Sequence, residues 1–169
     1  MRRSSLGTIT TFAASAALTA SSMLRADDCV LSPDLDGDGD LDAVVVHDVP
    51  SAFQAPAMVR TWLNAGDGTF VVQAERPVAW HPRSVRVADI DTDGDLDVVA
   101  TEVDVSSLVV LRGDGAGGLA PAEYFGLDRP SEAATGDLDG DGRLDVVGLS
   151  AEFGRGSILM NRGSGAASP

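Results

Sequence analysis

Three nine-residue stretches of this chain have the residue types and spacing for cation chemistry. They are Asp34-Leu-Asp-Gly-Asp-Gly-Asp-Leu-Asp42, Asp89-Ile-Asp-Thr-Asp-Gly-Asp-Leu-Asp97 and Asp137-Leu-Asp-Gly-Asp-Gly-Arg-Leu-Asp145. Carboxylates at alternate positions, with glycine at the sixth, let a short loop wrap oxygen ligands around Ca²⁺. Fourteen of the 26 acidic residues fall in these stretches, so the charge is concentrated where it can bind rather than spread for solubility.

One loop can be reasoned through atom by atom. Asp34, Asp36 and Asp38 alternate, so a tight turn points three carboxylates at one centre. Gly39 supplies the positive-φ backbone that reverses the chain without a Cβ clash. Position seven (Asp40, Asp95 or Arg143) offers its backbone carbonyl, which explains the tolerated arginine. Position nine (Asp42, Asp97, Asp145) closes the shell. The same assignments place Asp89, Asp91 and Asp93 in the second loop and Asp137, Asp139 and Asp141 in the third. Without a cation the crowded carboxylates repel one another, and each loop is expected to be loose.

Two other calcium architectures are excluded. An EF-hand needs a bidentate Glu at position twelve, where this chain has Val45, Ala100 and Gly148. Tandem nonapeptide calcium repeats are contiguous, whereas these loops start 55 and 48 residues apart. That interval points to one repeating supersecondary unit.

The elements that position the loops follow the same interval. Behind each loop lies a continuous apolar run: Ala43–Val46, Val98–Thr101 and Val146–Leu149. Continuous rather than alternating apolarity predicts strands covered on both faces. A third strand is expected over Met58–Leu63, Leu108–Leu111 and Ile158–Met160, each running into a Gly-rich hairpin turn. A fourth is expected at Thr69–Val72 and Leu119–Ala122. The third unit lacks one, because the chain ends soon after Arg162. Pro82 and Pro130 both stand seven residues before a loop. A lone unit cannot bury both faces, so units must stack.

These features resemble the FG-GAP/VCBS repeat, carried here by Asp-x-Asp-x-Asp-Gly-x-Leu-Asp-Val-Val and by Trp62-Leu-Asn-Ala-Gly-Asp-Gly-Thr-Phe70. The family includes the propeller blades of integrin α chains and many secreted bacterial proteins. The resemblance implies an all-β, partial β-propeller of about three four-stranded antiparallel blades, with a calcium loop between strands one and two of each. It implies about three Ca²⁺ sites, each held by side chains at positions one, three, five and nine and a carbonyl at seven. The blades are expected at about residues 28–76, 82–125 and 130–165, the last incomplete, within a repeat domain spanning 27–169. Family propellers close with more blades than three. Two expectations follow: the chain is part of a longer propeller, or copies self-associate to close the ring. The first is preferred.

Residues 1–26, with Arg2-Arg3 ahead of a mildly apolar stretch from Leu6 to Ala20, read as an export signal. The expected location is therefore secreted, periplasmic or cell-surface. Cys29 is the single cysteine, so no internal disulfide forms. Formal charge is −14, and −17 without the three arginines of residues 1–26. Such a field excludes general attraction to nucleic acid or anionic lipid. No segment after the N-terminus is long enough for a membrane span.

No catalytic set emerges. His47 and His81 stand alone, and no Gly-x-Ser-x-Gly nucleophile motif occurs. Gly113–Gly118 aligns with the other hairpins rather than opening a helix. Arg112-Gly113-Asp114 spells an integrin-binding tripeptide, yet the repeat accounts for it. The expected activity is binding or adhesion toward a protein or carbohydrate, with no catalytic residues. The alternative is the propeller portion of a secreted enzyme or larger multidomain protein. Phe53, Trp80, His81, Arg83 and Arg129 form the aromatic and cationic candidates on the connections away from the loops.

Overall fold

Each apolar run that follows an acidic loop forms a strand inside a sheet, and each sheet holds one loop. The computed structural model describes residues 29–31, 33–47, 55–78, 80–163 and 167–168. The first sheet is β1 (Cys29–Leu31), β2 (Ala43–His47), β3 (Met58–Asn64) and β4 (Phe70–Pro77), in that order. The second is β5 (Pro82–Ala88), β6 (Asp97–Glu102), β7 (Ser107–Leu111) and β8 (Glu123–Gly126). The third is β9 (Glu132–Gly136), β10 (Asp145–Ser150), β11 (Arg155–Asn161) and β12 (Ala167–Ser168). All pairings are antiparallel. The protein is thus all-β, and its three sheets do not close on themselves.

Period-two geometry explains the continuous apolar runs. Successive side chains on a strand point to opposite faces, so a middle sheet needs apolar residues at every position. Val98, Ala100, Val109 and Leu111 join Val44, Val46 and Val59 in one cluster between the first two sheets. Val99, Leu108 and Val110 join Val146, Ala133 and Leu159 in a second, between the last two. All six residues of β6 and all five of β7 are buried as a result.

The outer face of the third sheet departs from that expectation. Leu138, Leu149 and Ile158 are 50%, 50% and 51% exposed, while their counterparts Ile90, Thr101 and Val110 are 8%, 0% and 3%. The sequence pattern is similar; the difference is that among the described residues no fourth sheet packs there.

Two strand expectations are corrected. The fourth strand of the second unit is Glu123–Gly126, not Leu119–Ala122. The Asp114 carboxylate accepts the Ala116 and Gly118 N–H groups, Leu119 makes only an isolated bridge to Gly113, and Pro121 has no N–H to continue the ladder. The third unit does have a fourth strand, because Ala167–Ser168 pairs with Met160–Asn161. The segment read as an export signal, Phe53 and the Cys29 side chain lie outside the described residues.

One contact ties the first two units together. Thr61 sits beside a register shift in the β3–β4 pair. Its hydroxyl donates to the Gly117 carbonyl (2.6 Å) and accepts the Ala74 N–H (3.0 Å). Gly117 lies at φ +75°, and a Cβ there would come within 2.6 Å of Leu63.

Candidate metal centres

The three loops join β1 to β2, β5 to β6 and β9 to β10, at the same end of their sheets. Their turns are set by glycine at position six, with φ of +95°, +98° and +86° at Gly39, Gly94 and Gly142. That N–H donates to the position-one carboxylate in every loop: Gly39 to Asp34 (3.1 Å), Gly94 to Asp89 (3.1 Å) and Gly142 to Asp137 (3.0 Å). Position five accepts from position seven: Asp38 from Asp40 (2.8 Å), Asp93 from Asp95 (2.9 Å) and Asp141 from Arg143 (2.9 Å). Backbone amides thus orient the position-one and position-five carboxylates within each loop.

Three carboxylates meet in each loop. One oxygen from each of Asp34, Asp36 and Asp42 lies within 4.8 Å of the others, and the same holds for Asp89, Asp91 and Asp97 and for Asp137, Asp139 and Asp145. These are positions one, three and nine. Asp38, Asp93 and Asp141 at position five lie outside this grouping. The position-seven side chains lie over the hairpins: Asp40 against Gly66, Asp95 against Gly115 and Arg143 against Gly163.

Position nine does more than the sequence reading gave it. Asp42, Asp97 and Asp145 are almost wholly buried, and each carboxylate bridges two distant backbone amides. Asp97 accepts Ile90 N–H (2.9 Å) on one oxygen and Gly113 N–H (2.8 Å) on the other. Asp42 does the same for Leu35 (2.7 Å) and Asn64 (2.8 Å), and Asp145 for Leu138 (2.9 Å) and Asn161 (2.8 Å). Each one clamps the start of its loop to the end of the third strand. Asn64 and Asn161 reinforce this by donating their side-chain amides to the Leu41 and Leu144 carbonyls. The signal for these two was their matched place at the head of the hairpin turns. In the second unit that place holds Gly113, and the residue before it, Arg112, pairs through its guanidinium with Asp91 and, at 3.1 Å, with Glu123.

Electrostatics follow from the crowding. Desolvation, then the Asp38, Asp42 and Asp34 charges, push the Asp36 carboxyl above its ordinary range. Asp95 moves up for the same reasons, and burial raises Asp97 against its two amide donors. Asp137 moves down, chiefly through the Gly142 N–H. The donor set suits a hard dication, being all carboxylate oxygen. In the second loop, Asp89 Oδ1 and Asp91 Oδ1 are shut from solvent without a hydrogen-bond partner among the described residues. Buried carboxylate oxygens are costly unless something pairs with them, and a cation would.

The loop differs from its siblings at position four. Gly37 and Gly140 there donate to Asp34 and Asp137 (2.8 and 2.7 Å). The second loop has Thr92, at φ +64°, a conformation that a β-branched residue rarely adopts.

The remaining candidates sit elsewhere. Trp80, His81, Arg83 and Arg129 lie by the β6–β7 and β10–β11 turns, at the opposite end of the sheets from the loops. His81 lies 3.8 Å from Asp104, and Arg129 pairs with Glu152 at 3.0 Å. The charged ends of Arg112-Gly113-Asp114 are both engaged, Arg112 as above and Asp114 by its own turn. His47 stands at the end of β2, apart from the acidic clusters.

Comparison with known proteins agrees with this anatomy. The chain matches the FG-GAP-like repeat family over residues 34–100 and again over 89–148. Both matches begin at position one of a loop, and together they cover more than half of the chain. No curated protein sequence matches it. Among solved structures, an Agrocybe aegerita lectin, described as recognising non-reducing terminal N-acetylglucosamine, superposes with a TM-score of 0.64 at 20% identity. The likeness covers 86% of this chain and 38% of that one, so the chain spans well under half of the lectin's length.

Proposed function

The chain belongs to the FG-GAP-like repeat family, and on that premise we propose that it is an exported, calcium-stabilised binding module built of propeller blades. The observation that carries the metal reading is the pair of buried, unpartnered oxygens on Asp89 and Asp91, inside one of three repeated carboxylate clusters. Positions one, three and nine would hold the ion, with position five and the position-seven carbonyl completing the shell. Calcium would supply the positive charge that lets these carboxylates stay close together. It would lock each loop to its sheet rather than perform a reaction. Export through residues 1–26 is consistent with sites suited to extracellular calcium.

Binding is the activity that the fold supports, and carbohydrate is the first ligand class to test, given the lectin neighbour. The surface for it would be the end away from the loops, where Trp80 offers a ring for stacking and Arg83 a cation. No catalytic constellation stands among the described residues.

A second reading, that the three sheets are part of a larger array, is favoured by the uncovered apolar face of Leu138, Leu149 and Ile158. The array could come from a longer chain, which would include a secreted multidomain enzyme, or from self-association.

Calorimetric Ca²⁺ titration of the chelator-treated chain tests the metal reading. About three sites are expected, with a Kd of roughly 10⁻⁴–10⁻³ M as in extracellular modules. At about tenfold above Kd, each site adds about 1.4 kcal/mol to stability. Absence of binding at millimolar calcium would refute it. A glycan array tests the ligand class, and sedimentation with and without calcium tests assembly.

A further inference from the structure

The three centres are not equivalent, and Arg112 is the reason. We propose that Arg112 is a resident cation of the second loop: a positioning residue that holds Asp91 and weakens this loop's affinity for a dication relative to a loop without it. The inference rests on the calcium reading above.

At the head of the hairpin, units one and three place a neutral amide, Asn64 or Asn161, on a loop carbonyl. Unit two has Gly113 at that position, and the residue before it, Leu63 or Met160 in the other two units, is Arg112. Its Nη1 contacts Asp91 Oδ2, and its Nε donates to Glu123 Oε1 at 3.1 Å. Asp91 is a member of the three-carboxylate cluster, so the positive charge sits one carboxylate away from the centre. Arg112 and Asp91 are both mostly buried, with side chains 23% and 25% exposed, so solvent screens them only in part. By contrast Arg143 pairs with Asp141, which lies outside the third loop's cluster. A guanidinium on a clustered carboxylate is therefore particular to loop two among the described residues.

Two effects oppose each other. With Oδ2 held by Arg112, Asp91 keeps its other oxygen, Oδ1, buried and unpartnered. Fixing that side chain in advance spares ordering entropy, worth about twofold in affinity. Repulsion between a dication and a cation about 5 Å apart costs at least about fivefold, the value at near-water dielectric with salt screening. Repulsion wins, so the second loop binds several-fold more weakly than it would with asparagine at position 112.

The test isolates the loop in the full chain. Asp36→Asn with Asp139→Asn disables loops one and three, and Ca²⁺ is titrated calorimetrically. Adding Arg112→Asn should tighten binding several-fold, and Arg112→Lys, which keeps the charge, should leave it near the parent value. The asparagine gain should shrink as salt rises from about 0.1 to about 1 M. Glu123→Gln, which removes the anion sharing Arg112, should weaken binding about threefold. It gives an independent reading if the asparagine variant does not fold. Equal affinity with Arg112→Asn, equal tightening by lysine, or no weakening with Glu123→Gln would overturn the proposal while leaving the calcium reading intact. Failure of the unmodified chain to bind calcium would overturn both.

Discussion

Replacing Asp97 by asparagine should separate the clamp from the ligand. Asp97 is wholly buried, and each of its oxygens accepts one backbone N–H, from Ile90 and from Gly113. An asparagine keeps one acceptor oxygen and turns an NH₂ group toward the other amide. One charge-assisted hydrogen bond is lost, worth about 1.5–3 kcal/mol, and a buried N–H is left unpaired. Relief of the buried charge offsets part of this, giving a net loss of about 2–3 kcal/mol. With a urea slope of about 2 kcal/mol/M, the midpoint falls by about 1 M. The assay is urea unfolding in excess chelator, so that no metal contributes. Asp91→Asn is the control, since it removes a cluster carboxylate and a partly exposed ion pair worth under about 1 kcal/mol. In chelator Asp97→Asn should be much the weaker of the two. In calcium Asp91→Asn should also lose its metal-linked increment. Equal midpoints for the two variants in chelator would refute the argument that position nine is a structural clamp.

Thr92→Gly, the residue that the other two loops carry at this position, should raise stability by about 1 kcal/mol in chelator melts, because it relieves the left-handed conformation at φ +64°. Thr61→Val should cost about 2 kcal/mol, since it strips the Ala74 N–H and the Gly117 carbonyl of their shared hydroxyl; thermal melts should show it with and without metal. Acid should act in opposite senses on different carboxyls. Asp97, Asp36 and Asp95 titrate above 3.8 in the folded chain, so their contribution favours the metal-free fold at low pH and is lost as pH rises through the raised range. Asp67, held down by the Thr69 hydroxyl and amide, and Asp137, held down chiefly by the Gly142 N–H, contribute stability above 3.8 that is lost as pH falls through their lowered ranges. The metal-free chain is therefore expected to gain from mild acidification in pH-dependent melts, whereas calcium binding weakens over the same range as protons compete for the raised carboxyls.

Much of this was legible in the residues because the decisive signals are local. Alternating aspartates with glycine at position six define a loop within nine positions, and the apolar run after it defines the central strand. What the sequence left hidden involves distance or absence. The clamp at Asp97 joins amides seven residues before it and sixteen after it, a pairing that no spacing rule announces. The apolar look of Leu119–Ala122 suggested a strand, but Asp114 closes a wider turn there and Pro121 interrupts pairing, so the strand begins at Glu123. Arg112 reads as one more hairpin residue until its guanidinium is seen on Asp91. The exposure of Leu149 and Ile158 depends on what packs outside the third sheet, about which their own identities say nothing.

The clamp has a consequence for how such a chain changes over generations. Loop one and the groups that fasten it run from Asp34 to Asn64 without interruption, so one duplicated stretch of gene passes on a complete centre together with its fastening. Burial is not inherited in that way, because a sheet's second face is covered only by whatever sheet comes next. Recombination can therefore alter the number of units without redesigning a single centre. Each new last unit starts with an apolar flank for selection either to cover or to make polar.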